Sequence, residues 1–240
     1  MRIRIQNSRP LRHAGALLCC LASVLLAVSC GRTEPATGVL FIGNSYTRIN
    51  GGLDQQLKTL APEIRTASIV VDGSTLERHW TNGAALAEIR KGGWNYVVLQ
   101  EQSQGPIANR KLWREFAAKF DEEIRKQGGK TVLLMTWERP DSVKFGVTTT
   151  NMVAAFRELG RDLHAIVAPA GVAFADSLRQ KPGIVLNQPD GHPTQAGSYL
   201  AACILYKTIL GRNPVGNPAR PPGLDAATAL WLQQVAEKTD

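Results

Sequence analysis

Two short segments of this 240-residue chain carry the residue types that nucleophilic chemistry needs. The first is Phe41-Ile42-Gly43-Asn44-Ser45-Tyr46-Thr47, which closes the apolar run Val39–Ile42. A serine just past a buried strand, with glycine two places before it, sits where a tight turn can present its hydroxyl. The second is Pro189-Asp190-Gly191-His192-Pro193-Thr194. A serine nucleophile needs a base to take its proton, and the base needs an acid to orient it. His192 and Asp190 supply both within one loop. Taken singly, each segment has a plainer reading: Asn44 or Ser45 as a turn cap, and Asp190–His192 as a solvated turn. Of the other histidines, His164 reads as structural. His79, in Leu76-Glu77-Arg78-His79-Trp80, stands after the second apolar run and could line the same cleft. A dinucleotide site would need Gly-x-Gly-x-x-Gly at this turn, and Gly51-Gly52 come too late. No Cys or His spacing suits zinc. We therefore expect no metal and no cofactor.

The elements that must position these residues follow from hydrophobic patterning. Short apolar runs at Val39–Ile42, Ala67–Val71, Tyr96–Leu99, Thr131–Met135 and Ala165–Ala168 read as strands buried on both faces. Amphipathic segments near Leu53–Leu60, Thr81–Arg90, Arg110–Lys126, Asn151–Leu163, Thr194–Leu210 and Asp225–Lys238 read as helices. This alternation predicts an α/β fold with a central parallel sheet covered on both faces. In such sheets ligands bind at the carboxyl ends of the strands, which is where Ser45 falls.

The N-terminus predicts export. Arg2, Arg4, Arg9 and Arg12 precede an apolar run, Ala14–Val28, too short for the roughly 20 residues of a spanning helix. Ala27-Val28-Ser29-Cys30 resembles a bacterial lipobox, in which Cys30 would be lipidated. The expected organisation is a signal peptide over 1–30, a tether over 31–37 and a single domain over 38–240. The expected location is the bacterial cell envelope, lipid-anchored in the periplasm or outer membrane, or secreted. Ordinary cleavage nearby and an uncleaved anchor are the alternatives. Cys19 and Cys20 would leave with the signal, so only Cys203 would remain a free thiol and the domain would have no disulfide. The net charge of +8 includes four arginines before Cys30. No basic stripe with interleaved aromatics is present, so no nucleic-acid partner is expected.

Gly43-Asn44-Ser45 and Asp190…His192-Pro193 resemble the first and last blocks of the SGNH/GDSL hydrolase superfamily. The strings Phe-Ile-Gly-Asn-Ser-Tyr-Thr, Val-Val-Leu-Gln-Glu-Gln-Ser and His-Pro-Thr-Gln-Ala-Gly-Ser-Tyr-Leu-Ala-Ala are similar to its DUF4886 subfamily. The resemblance covers roughly 38–216. It implies a flavodoxin-like three-layer α/β/α sandwich and a serine esterase acting on a small-molecule or glycan ester. It also implies an oxyanion hole from the N–H groups of Ser45 and Gly73 and a side-chain amide. The superfamily's Gly-x-Asn-Asp block is replaced by Gln100-Glu101-Gln102-Ser103, which makes Gln102 the expected amide and Gln100 the second choice. The acid usually lies three residues before the histidine; here the spacing is two. Asp190 is the expected acid, with a Ser45–His192 dyad as the alternative. A non-catalytic glycan-binding or scaffold protein on this fold, and an O-acyltransferase, are the rival functions.

Overall fold

The computed structural model describes residues 36–240. The expected signal, the lipobox-like segment with Cys30 and most of the expected tether lie outside these residues. Five strands, β1 (Gly38–Gly43), β2 (Arg65–Val70), β3 (Tyr96–Leu99), β4 (Lys130–Leu134) and β5 (Ile166–Ala168), form one parallel sheet in the order β2-β1-β3-β4-β5. β1 is central to the function for a topological reason. The chain runs from β1 to β2 on one side and then returns to β3 on the other, so the sheet's switch point lies at the carboxyl end of β1.

The alternation of side chains along β1 builds both cores. Val39 and Phe41 face one layer, and Leu40 and Ile42 face the other. The first layer packs helices α2 (Leu53–Leu60), α8 (Ala170–Gln180), α9 (Gln195–Leu210) and α10 (Ala226–Lys238). The second packs α3 (Leu76–Asn82), α4 (Ala84–Arg90), α6 (Arg110–Lys126) and α7 (Thr149–Leu163). Two single-turn helices, α1 (Ser45–Arg48) and α5 (Gly105–Ala108), complete the set. The result is the expected three-layer sandwich. In α6 the buried residues Trp113, Phe116, Ala117, Phe120 and Ile124 recur at helical spacing and form one stripe. α9 is different: Gly197 through Tyr206 are all buried, because α2, α8 and α10 cover it on the sides away from the sheet.

Several elements differ from the sequence expectation, and β2, at the sheet edge, is only partly buried. The single helix over Thr81–Arg90 is two helices, since Gly83 adopts φ 80° and caps α3 before α4 begins. The N-terminus of α3 is set by Thr75, whose side chain accepts from the N–H of Arg78. α8 was not expected; its sequence, Ala-Gly-Val-Ala-Phe-Ala-Asp-Ser-Leu-Arg-Gln, is rich in small residues and has a weak apolar stripe. Gly171 explains the composition. A Cβ there would lie 2.1 Å from the Thr136 carbonyl oxygen, so α8 can approach the end of β4 only with glycine at this position.

Candidate active site

The turn after β1 is built for close approach. A Cβ on Gly43 would come within 2.6 Å of the Gln100 Oε1 and even closer to Thr47 Oγ1. Gln100 is fully buried and fixes the turn from below: its Oε1 accepts from the N–H of Asn44 (2.9 Å) and from Thr47 Oγ1 (2.9 Å). The Gly43 carbonyl is held by two donors, the N–H of Val71 (3.2 Å) and His79 Nε2 (2.8 Å). Asn44 caps α1 by accepting from the N–H of Tyr46, and its Nδ2 donates to the Ser74 carbonyl. Ser45 therefore leaves a rigid strand end with its side chain at the surface of a cleft.

The second segment meets it there. In the tautomer protonated at Nδ1, His192 donates to Asp190 Oδ2 at 3.0 Å, and Nε2 is left to accept from Ser45 Oγ at 2.8 Å. Asp190 reaches the ring despite the short spacing because Gly191 adopts φ 86° and folds the loop back. The same carboxylate accepts from the N–H of His192 through its other oxygen (3.0 Å). That backbone bond, then the ring contact, holds the Asp190 carboxyl below the usual range. Asp190 stays ionised at neutral pH although its side chain is 62 % exposed.

Gly73 borders the same cleft with φ 65°. Among the described residues, the N–H groups of Ser45 and Gly73 donate to no protein acceptor, and both residues line the cleft. Two backbone donors without partners beside a nucleophile are what a developing oxyanion needs.

The expected side-chain amide is not brought to the cleft. Gln102 Oε1 accepts from the N–H groups of Gln104 and Gly105 and so shapes its own loop, and Gln102 is not among the cleft's walls. Gln100 has both ends of its amide engaged, since Nε2 donates to the Glu101 carbonyl. His79 does not line the cleft either. It is buried under the nucleophile turn as a donor to Gly43, and burial pushes its ring below the usual histidine range. Glu101, also buried, accepts from the N–H groups of Leu76 and Gln102, and burial pushes its carboxyl up.

Sequence reasoning missed the group that holds the histidine loop. Trp137 Nε1 donates to the Gly191 carbonyl (3.3 Å), and Arg139 Nη1 donates to the Asp190 carbonyl (3.3 Å) and to Tyr46 Oη (3.1 Å). Tyr46 stacks on Trp137, with ring centroids 5.1 Å apart, and Trp137 stacks on Phe174 at 4.0 Å. Tyr46 also meets the His192 ring edge-on at 5.2 Å. The available signal was position: Trp137 and Arg139 follow β4 at the same carboxyl edge as Ser45. At the mouth of the cleft Arg48 makes a two-pronged bond to Asp72 (2.8 and 2.7 Å), which holds the Asp72 carboxyl low.

No family model matches the chain, and no curated protein matches it. Solved structures do. A protein described as an SGNH hydrolase from Slackia heliotrinireducens is 29% identical, with 72% of this chain and 99% of that one covered at a TM-score of 0.65. The chain shares the fold of the SGNH/GDSL hydrolases and resembles that superfamily. A DUF4886 family protein from Bacteroides uniformis aligns over 84% of this chain and 93% of its own at a TM-score of 0.67 and 18% identity. An acetyl-xylooligosaccharide esterase from Geobacillus shares the fold at 13% identity and a TM-score of 0.54, over 73% of this chain and 93% of its own.

Proposed function

We propose that the protein is an ester hydrolase that removes small acyl groups, with Ser45 as nucleophile, His192 as general base and Asp190 as its orienting acid. The observation that carries this reading is the unbroken chain Asp190–His192–Ser45, at 3.0 and 2.8 Å, ending beside two unpartnered N–H groups. His192 Nε2 takes the Ser45 hydroxyl proton as Oγ bonds to the acyl carbon. The carbonyl oxygen becomes an oxyanion facing the Ser45 and Gly73 N–H groups. Collapse breaks the bond to the alcohol oxygen, which leaves with the proton from His192. Water then attacks the acyl-serine, giving its proton to His192, and the carboxylic acid departs as Ser45 recovers its proton. With Gln100 engaged at both ends of its amide and Gln102 outside the walls of the cleft, two backbone donors carry the oxyanion. Each such donor lowers the barrier by about 3–4 kcal/mol.

A small acyl group is supported by the cleft's walls, in which Ile49 is the one large apolar side chain. A glycan as the alcohol is supported by the acetyl-xylooligosaccharide esterase among the structural neighbours. Envelope anchoring through Cys30 rests on the lipobox-like sequence, and mass spectrometry of membrane-extracted protein finding an unmodified Cys30 would overturn it.

The deciding experiment is p-nitrophenyl acetate hydrolysis by residues 31–240 beside Ser45→Ala and His192→Ala. Both variants are expected to lose at least about 10³-fold in kcat while remaining folded. Hydrolysis that persists in Ser45→Ala would overturn the nucleophile. Inactivity of the folded wild type on every ester tried would favour the non-catalytic reading. Acceptor sugars added to the assay separate a hydrolase from an acyltransferase.

A further inference from the structure

The cleft does not end at Asn50. That residue is a wall of the Ser45 cleft and also of a second recess of about 190 Å³, the space of about six waters at roughly 30 Å³ each. α2 and the start of α9 form its sides, and the segment 219–222 closes it. Leu60, Tyr199, Pro221 and Pro222 give it apolar surfaces. Its polar lining is mostly neutral amide and hydroxyl: Gln55, Gln56, Thr59 and Gln195 beside Asn50, with no acidic residue. The one charged lining residue, Arg220, has its Nε tied to the Leu224 carbonyl.

Gln56 is the informative residue. It is only 7 % exposed, its Nε2 donates to the Asn50 carbonyl (2.9 Å), and its Oε1 is buried without a hydrogen-bond partner. A buried acceptor left unmatched costs about 1–3 kcal/mol, and Gln56 is a wall of the recess, so a ligand donor that reached it there would offset that cost. Asn50 is fixed between the two spaces. It holds φ 56°, and its Nδ2 donates to the Pro193 carbonyl (2.9 Å) and to Ser198 Oγ (2.8 Å), beside the base. A group seated in the recess would rest against the residue that anchors the histidine loop.

We propose that this recess is a subsite for the alcohol side of the substrate, taking one ring of a neutral, hydroxyl-rich chain whose neighbouring ring carries the ester to Ser45. The proposal rests on the ester-hydrolase reading. Amides that both donate and accept match hydroxyl groups, and the proline and leucine surfaces match the C–H face of a sugar ring. An acyl tail would leave the amides unpaired. A cation would find no carboxylate.

The test uses three esters, p-nitrophenyl acetate, peracetylated methyl glucoside and peracetylated cellobiose, together with Thr59→Trp, which places an indole over the recess from an exposed position on α2. Arg220→Ala, outside any helix or strand, is the second variant. The wild type is expected to prefer the disaccharide ester to the monosaccharide ester at least tenfold in kcat/KM. Thr59→Trp is expected to erase that preference through KM and leave p-nitrophenyl acetate hydrolysis unchanged. Equal kcat/KM on both sugar esters, or a disaccharide KM unmoved by both variants, would overturn the subsite. Unesterified cellobiose titrated into Ser45→Ala by NMR tests binding without turnover: shifts that Thr59→Trp abolishes support the subsite, and no shifts refute it. Loss of all ester hydrolysis in a folded wild type would instead strike the reading on which the proposal rests.

Discussion

Asp190 orients His192 from the surface, and that sets how much it can contribute. Its carboxylate makes two hydrogen bonds to the same residue, one to the ring and one to the backbone N–H, yet most of the side chain is in water. Asp190→Asn would keep the shape but favour the wrong ring tautomer, and kcat on p-nitrophenyl acetate is expected to fall roughly 100-fold with KM little changed. Nearly full activity would instead favour a Ser45–His192 dyad. The two segments that meet at the cleft were legible in the sequence because each is local: a serine at a strand end, and an aspartate and a histidine two residues apart. The side-chain oxyanion donor was not legible. Which way an amide after β3 faces depends on the turn of its own loop, and the Gln102 oxygen is held within that loop by the N–H groups of Gln104 and Gly105.

Elements beneath the site decide how rigidly it is held. Arg139 is 12 % exposed and reaches the Asp190 carbonyl and the Tyr46 hydroxyl together, so it couples the loop of the base to the helix of the nucleophile. Arg139→Met keeps much of the packing and removes both bonds. Its kcat is expected to fall about tenfold with a small change in KM, and steady-state kinetics on the folded variant checks this. Nothing in the sequence links positions 46, 137, 139, 174 and 191, so this support became visible only in three dimensions. His79 gives the strand end a pH dependence. Its ring is neutral in the fold and its pKa is lowered by burial, so the unfolded chain takes up the proton first as pH falls. Stability from this group is present above about pH 6.5 and declines as pH drops below it. Glu101, raised by burial, has the opposite slope, its share of stability declining as pH rises above about 4.3. Comparing His79→Gln with wild type isolates the histidine. The Tm of the variant is expected to fall less between pH 7.5 and 5.5, and parallel curves would refute the assignment.

At the scale of the whole molecule, the parallel sheet and the two helical layers followed from patterning, since β1 is apolar on both faces and the helices alternate with the strands, whereas the strand order β2-β1-β3-β4-β5 became visible only in the structure. α8 escaped because close packing demanded small residues and blurred its stripe. The architecture leaves the Ser45 cleft open at the sheet edge, and with Ile49 its one large apolar side chain it gives a long acyl chain little to bury against. p-Nitrophenyl acetate is therefore expected to be cleaved faster than the decanoate, in kcat/KM, by the wild-type domain. A preference for the decanoate would mean that an apolar surface outside the cleft takes part.

The cover over α9 has a consequence for when the protein becomes active. His192 sits just before the N-terminus of α9, and α9 is buried along most of its length partly by α10, which ends two residues before the last residue of the sequence. An emerging chain would have made Ser45 and its turn long before α10 could dock and settle α9. If Ser45 and His192 act as proposed, activity would follow the docking of α10 rather than the formation of the turn at Ser45.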